Sequence, residues 1–466
     1  MRRLALALLA LASSAASAAE PPLPEGLPPF GPDRPFPEPS VERFTTPEGL
    51  TVWLVARGGV PRFALSLAVR GGMASDPRGL EGVSELLAEG LKAGTASRSA
   101  RQIAEDLAAV GGELAVEAGD DALTLAVSGL SSGLATALEV VADVARRSAF
   151  PEQEVALARA NALEGLKVRA ATPEFLAQKA LAATLFGDHP YRIAAPTEEA
   201  LRDATPEVLR REAVRRLRPE GALLVVVGSF DARTARRDVL RAFAGWKGSG
   251  EAPPPVPDVA GGGHRRLVLV DRPGSQQSLL LLGRIGPRQS DPDWHVVLVA
   301  SSMLGGGGAS RLYQNVREAK GYSYSPRSSL VPHRAAGVLQ VRADVRNDVT
   351  GAALLELLYE LDRLGATAPP AEELARTKRF QIGAFVRRNQ LNASLARTLA
   401  GYWVNGLGPE ALSEFVSRVN AVGPAEVQRV GRRWYAASGQ TVVAVGEPGQ
   451  VRVQLEQFGN VESARP

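Results

Sequence analysis

The chain has 466 residues, 45% of them apolar and 22% charged, a globular balance in a length too great for one core, so two or more domains are expected. The formal net charge is only +4, from 54 basic and 50 acidic residues, and the arginines are spread along the chain, which argues against a nucleic-acid-binding surface. There is no cysteine, which excludes disulfides and lipidation at a lipobox.

Residues 1–18 read as an export signal. Arg2 and Arg3 form a basic start, Leu4 to Ala12 a short apolar run, and Ala16-Ser17-Ala18 a small-residue cleavage site. The run is too short to span a bilayer and no stop-transfer pattern follows, so no membrane span is expected. A bacterial periplasm is the expected location, and loss of Arg2 and Arg3 would leave a net charge of +2. Residues 19–40 are proline-rich and are expected to run extended over the surface.

From residue 41 onward the same order of elements is written twice. Each copy opens with two strand-like runs, "GLTVWLVA" and "RFALSLAVRGG" in the first, "RRLVLVD" and "QSLLLLGRIG" in the second. An apolar helix ending near glycines follows, "GVSELLAEGLKAGT" or "HVVLVASSMLGGGG". A serine, a further helix, two strands and an amphipathic helix come next, then long helices, then a buried strand closing on "VVxVG". The Gly/Pro-rich stretch 247–263 separates the copies as a flexible linker. The expected domains are therefore 41–246 and 264–466. Strands in adjacent pairs and helices in runs predict an α+β fold, each domain a mainly antiparallel sheet packed against helices, the two domains facing like halves of a clam. A cavity between them is the default binding site.

The stretch "GVSELLAEGLKAGT" predicts a helix with Val83, Leu86, Leu87 and Leu91 on its apolar face. Glu85 and Glu89 share another face with Ala88. In the second copy, "SRLYQNVREAKGYSYS" predicts a helix from Arg311 to Lys320, capped by Ser310 and stopped by Gly321. Tyr322 and Tyr324 then alternate onto one face of a strand. The glycine run "LGGGGAS" lacks the G-K-[ST] ending of a phosphate loop and is expected to allow close approach of a substrate or partner backbone.

With the "GDHPY" loop at Gly187–Tyr191 and "RLRPEGALLVVVGSF", these landmarks make the chain after residue 40 resemble the insulinase/pitrilysin-like peptidases. The resemblance is strongest to their small bacterial forms and to the mitochondrial processing peptidase subunits. Active members carry H-x-x-E-H on the first helix, two histidines for zinc and a glutamate that activates the metal-bound water. Aligned on Gly82 and Gly94-Thr95, this chain presents Glu85, Ala88 and Glu89 instead. The family's third ligand, a glutamate on a later helix, matches Glu164 in "NALEGLK". No zinc is expected on this chain, and His189, His264, His295 and His333 do not replace it, since no pair has metal-binding spacing. A site for a harder cation at Glu85, Glu89 and Glu164 is a separate possibility that would make the chain an independent metallohydrolase.

The resemblance further implies that Arg317 and Tyr324 hold a substrate carbonyl and stabilise its oxyanion, opposite the zinc. The residue types alone favour a structural helix-end arginine and a half-buried strand tyrosine; the surrounding landmarks favour the functional reading. It also implies that an extended peptide adds to the strand "ELAVEAGD" at Val116, Glu117 and Ala118, where ordinary sheet packing would place the same residues. The expected function is the non-zinc subunit of a heteromeric periplasmic peptidase. Its partner would be a homologous chain with an intact zinc motif, zinc being held there, and its substrates extended peptides. The alternative is a catalytically silent peptide- or protein-binding protein of the same fold.

Overall fold

The computed structural model describes residues 39–260 and 263–464. The expected signal at 1–18, and all but the last two residues of the proline-rich segment 19–40, lie outside the described residues. The front half contains strands β1 (Glu42–Thr45), β2 (Thr51–Ala56) and β3 (Arg62–Arg70), then helices α1 (Val83–Lys92) and α2 (Ala100–Ala108). Strands β4 (Leu114–Ala118) and β5 (Ala122–Leu130) follow, then α3 (Leu134–Arg147), α4 (Glu152–Ala170), α5 (Pro173–Phe186), α6 (Glu198–Asp203) and α7 (Pro206–Arg216), and finally β6 (Ala222–Gly228) and α8 (Ala232–Ala242). The rear half repeats the plan with β7 (Arg266–Asp271), β8 (Gln277–Gly286), α9 (Trp294–Gly305), β9 (Arg327–Pro332), β10 (Gly337–Arg346), α10 (Thr350–Ala366) and α11 (Ala371–Arg388). It ends with α12 (Asn392–Val404), α13 (Glu410–Ala421), α14 (Pro424–Val430), β11 (Thr441–Gly446), α15 (Pro448–Leu455) and β12 (Val461–Ala464).

Each half builds a six-stranded sheet, ordered β1-β2-β6-β3-β5-β4 in front and β12-β7-β11-β8-β10-β9 behind. The runs "ALLVVVG" and "TVVAVG" are buried at every residue and stand inside their sheets, as continuous apolar strands must. Each pairs parallel with one neighbour, β2 or β7, and antiparallel with the other, β3 or β8. The outer place beside β2 or β7 is filled from opposite chain ends: β1 lies antiparallel on β2, while β12 lies parallel on β7.

The two halves exchange a helix. Leu176, Ala177 and Leu181 of α5 pack on Val268, Val270, Leu279, Leu281, Val443 and Val445 of the rear sheet. In return α12 lies against β3 and β6 of the front sheet. Gly283 permits the first contact, because a Cβ there would sit 2.7 Å from Leu181 Cδ2. At the second, Asn392 Nδ2 donates to Arg62 O at 3.2 Å and the Arg70 guanidinium stacks 4.2 Å from the centre of the Trp403 ring.

A polar and aromatic cluster ties the halves again. Asp121 accepts from the Tyr191 hydroxyl at 2.6 Å and from Arg334 N at 2.8 Å, and the same hydroxyl accepts from Ala335 N at 3.0 Å. Burial pushes the Asp121 carboxyl and the Tyr191 phenol upward from their ordinary values. This is the structural office of the "GDHPY" loop. His189 and His333 flank the Tyr191 ring, each with its centroid 4.7 Å away. The described part of the linker has no helix or strand, but it is pinned rather than free. Pro257 O meets His189 Nε2 at 3.0 Å, Asp258 pairs with Arg288 at 2.6 Å, and Val256 and Val259 pack around Phe186 and Tyr191.

Candidate functional site

Helix α1 forms as its periodicity predicts, with Val83, Leu86, Leu87 and Leu91 fully buried. Its N-cap Gly82 has φ +86°, and a Cβ there would lie 2.1 Å from Pro196 Cα, so only glycine fits the entry turn. Beneath that turn lies an ion cluster the sequence does not announce. The fully buried Arg216 guanidinium pairs with Asp76 at 2.9 Å and with Glu212 at 2.9 Å, and donates to the carbonyls of Gly71 and Gly72 and to the Ser84 hydroxyl. The landmark "RLRPEG" therefore includes the arginine that fixes the start of α1. Thr95, at the helix's far end, donates to Asp143 at 2.8 Å.

The zinc-motif positions are occupied by side chains with other partners. Glu85 is held fork to fork by Arg169 of α4, at 2.9 and 3.3 Å. Glu89 pairs with Lys92 at 2.7 Å, and Ala88 is 2% exposed. Glu164 points into solvent, 72% of its side chain exposed, and pairs with Lys167 at 2.8 Å. Helices α1 and α4 are thus bridged by a guanidinium–carboxylate pair. The three glutamates are not brought together: each has its own base, and among the described residues no cluster of histidine, cysteine, aspartate or glutamate could hold a metal ion. The donor set does not fit the zinc site, since glutamates paired with Arg169 and Lys92 stand where the two ligand histidines would be, Glu164 pairs with Lys167, and alanine replaces the base that would activate water.

The histidines are dispersed. His333 Nδ1 is 3.0 Å from Asp120, His189 accepts from Tyr191 N at 3.1 Å, and His264 is exposed beside β7. His295 packs against Phe415, and burial lowers its pKa to about 4.

Arg317 and Tyr324 are in contact. The guanidinium carbon lies 4.3 Å from the Tyr324 ring centre and 4.6 Å from that of Tyr313, while Nη1 donates to Tyr324 O at 3.0 Å. Tyr324 is 79% exposed. The helix that carries Arg317 differs from the expected one. After one residue pair in α form it winds as a π-helix over Tyr313–Ala319, and Gly321, at φ +64°, ends it. Asn315 and Lys320 tie it to α10, the first through Glu356 and Glu360, the second through Glu356. Ser310 precedes the helix but does not cap it, since its buried hydroxyl has no partner. Nor do Tyr322 and Tyr324 alternate on a strand. Only Ser323 makes a bridge, to Val345, and β9 starts at Arg327, after Pro326, which has no N–H to give a ladder.

Strand β4 is the edge of the front sheet, with Val116 buried, Glu117 exposed and Ala118 half-buried. It lies alongside α1, so its free edge runs past the helix bearing Glu85. Of the glycine run, Gly305 admits the protein's own chain: a Cβ there would be 2.2 Å from Ser328 N of β9. Between the halves is a cavity of 280 Å³ lined by Met73, Asp120, Tyr191, His333 and Gln340 among others, and by none of the residues of either candidate site.

Two tandem α+β lobes, a first helix at the zinc-motif position and an Arg/Tyr pair behind define a peptidase-like architecture. The description "Insulinase (Peptidase family M16)" matches residues 54–196, and "Peptidase M16 inactive domain" matches residues 203–380. An uncharacterized zinc protease of Mycobacterium leprae is 30% identical over 332 residues, 67% of this chain and 74% of its own. Another from Streptomyces coelicolor is 26% identical, over 84% of this chain and 87% of its own. The crystal structure of a peptidase M16 inactive domain from Pseudomonas fluorescens superposes with TM-score 0.82 at 23% identity, covering 88% of this chain and 98% of that one. A protease from Helicobacter pylori gives TM-score 0.83 at 18% identity, covering 88% and 99%. The chain belongs to the insulinase family, peptidase family M16. No helix among the described residues is long and apolar enough to cross a membrane.

Proposed function

We propose that this chain is the non-zinc subunit of a heteromeric periplasmic peptidase. A homologous partner with an intact H-x-x-E-H would hold the zinc and activate water. This chain would bind the extended peptide, along the β4 edge at Val116–Ala118, and present Arg317 and Tyr324 to the scissile carbonyl. The observation that carries the reading is the asymmetry of the two sites. Glu85 is neutralised by Arg169 and Ala88 is inert, whereas Arg317 and Tyr324 are assembled in contact and open to solvent. The guanidinium is braced by Tyr313, Tyr324 O and Glu318, leaving Nη2 and the phenol as donors for a developing oxyanion. Because the exchanged helices hold the two halves of one chain together, a chamber able to admit a peptide is best formed against a second chain.

The test is co-expression with a family member carrying H-x-x-E-H from the same genome. The pair should hydrolyse peptides and neither chain alone should do so. Arg317→Ala with Tyr324→Phe should lower kcat of the assembled pair by roughly 10²–10³-fold, the scale of a lost oxyanion donor. Unchanged turnover in that double variant, or zinc-dependent hydrolysis by this chain alone, refutes the proposal.

A further inference from the structure

A second cavity, of 450 Å³, lies wholly in the rear half, between α9, β9, α11, α12 and α13. Its place follows from the internal repeat. Counting back from the C-caps Ala93 and Gly306 sets Glu85, Ala88 and Glu89 of α1 beside Leu298, Ser301 and Ser302 of α9. Counting forward from the N-caps Pro151 and Pro370 sets Arg169 of α4 beside Arg388 of α11. Leu298, Ser301, Ser302 and Arg388 all line the cavity. It is the rear counterpart of the front half's zinc-motif position.

The counterpart lacks one partner. In front, Glu85 satisfies Arg169. Behind, leucine stands where the glutamate would be, and Arg388 makes no ion pair or hydrogen bond with any described residue. Arg397, on α12, lines the same cavity and is likewise unpaired. No aspartate or glutamate is in the wall. Glu414, which acts on the cavity-lining His295, is engaged by Arg418 at 2.8 Å. Next to Arg388, Asn389 is 1% exposed; its Nδ2 donates to Phe385 O at 2.9 Å, but its Oδ1 has no donor. A buried acceptor left bare in a cavity wall asks for an N–H from what enters. Phe385 and Phe415, stacked at 3.9 Å, supply an apolar wall.

We propose that this cavity binds the carboxyl-terminal end of a peptide. The terminal carboxylate pairs with Arg388 and Arg397, the adjoining amide N–H donates to Asn389 Oδ1, and an apolar terminal side chain lies on Phe385 and Phe415. The ligand carboxylate takes the place that Glu85 fills in the front half. The inference does not rest on the proposed partnership, because binding is read on this chain alone and needs no hydrolysis.

The experiment is calorimetric titration of the full chain with N-acetyl-phenylalanine, with its C-terminal amide, and with N-acetyl-Gly-Gly-Phe. The two acids should bind, and the amide should bind at least roughly tenfold more weakly. Arg388→Gln and Arg397→Gln should each weaken binding of the acids by a similar factor, while Arg387→Gln, one residue along α11 and outside the cavity lining, should not. Leu298→Glu should abolish binding by giving Arg388 an internal carboxylate, and its thermal midpoint should show the fold retained. Equal affinity for acid and amide, binding indifferent to Arg388→Gln, or no binding of either acid at about 10 mM overturns the proposal. Binding of the single acid but not of the tripeptide overturns its peptide-end part.

Discussion

Replacing Leu181 by alanine tests the helix exchange. Leu181 belongs to the front half by sequence, is 1% exposed, and packs in a cluster with rear-sheet side chains and against Gly283. A fully buried leucine cut to alanine loses its transfer energy and leaves a cavity, together about 3 kcal/mol. With a urea dependence of about 3 kcal/mol per molar, the midpoint should fall by about 1 M. Single-tryptophan variants retaining Trp246 or Trp294 report the two halves, since both residues are buried, 3% and 5% exposed, in front and rear respectively. Because α5 and α12 brace opposite sheets, both reporters should shift together. Adding Gly283→Ala, harmful alone through overpacking, should recover part of the loss, since its methyl enters the space Leu181 vacates. A loss below about 1 kcal/mol, or a shift confined to Trp246, would show that α5 does not hold the rear sheet.

A Glu85→Ala and Arg169→Ala cycle should give a coupling of about 1 kcal/mol or less that shrinks with salt, because the side chains remain 30% and 42% exposed; urea titrations at two ionic strengths measure it. Burial of Asp143 works against its charge, but donors from Ser97, Thr95, Arg98 and Arg147 outweigh it and hold the carboxyl below the usual aspartate range. That stability is present above the unfolded aspartate pKa and is lost as pH falls through the folded one, so Asp143→Asn should destabilise at pH 7 and converge on the parent in acid, read by thermal melts across pH. Tyr191→Phe removes a buried donor from Asp121 and an acceptor from Ala335 N, and should cost about 1–3 kcal/mol in the same melts.

Much of the scaffold is legible from local pattern. The paired strands, the doubly buried "VVxVG" runs and the apolar face of α1 depend on residue periodicity, and the observed strand order repeats as the written order does. The helix exchange is not legible that way: the apolar positions of α5 show that a face is buried but not which sheet buries it. The same holds for Arg216, whose partner Asp76 is 140 residues away. At the candidate site, the seven-residue spacing brings Arg317 to Tyr324, yet by stacking and a backbone bond rather than along a strand. The π-winding that allows it follows from the anchors to Glu356 and Glu360, which the 3.6-residue pattern does not encode. The opposed fates of Arg169 and Arg388 also emerge only when the repeats are compared in three dimensions.

Traded helices bind the fortunes of the two lobes. The front lobe seats α12, and its own α5 is the cover on its neighbour's sheet. Discarding it would strip the other lobe bare. A chain tied in this manner has to keep both scaffolds together whatever chemistry either lobe performs, which accounts for an α1 that stays fully packed while Glu85 and Glu89 take Arg169 and Lys92 as partners.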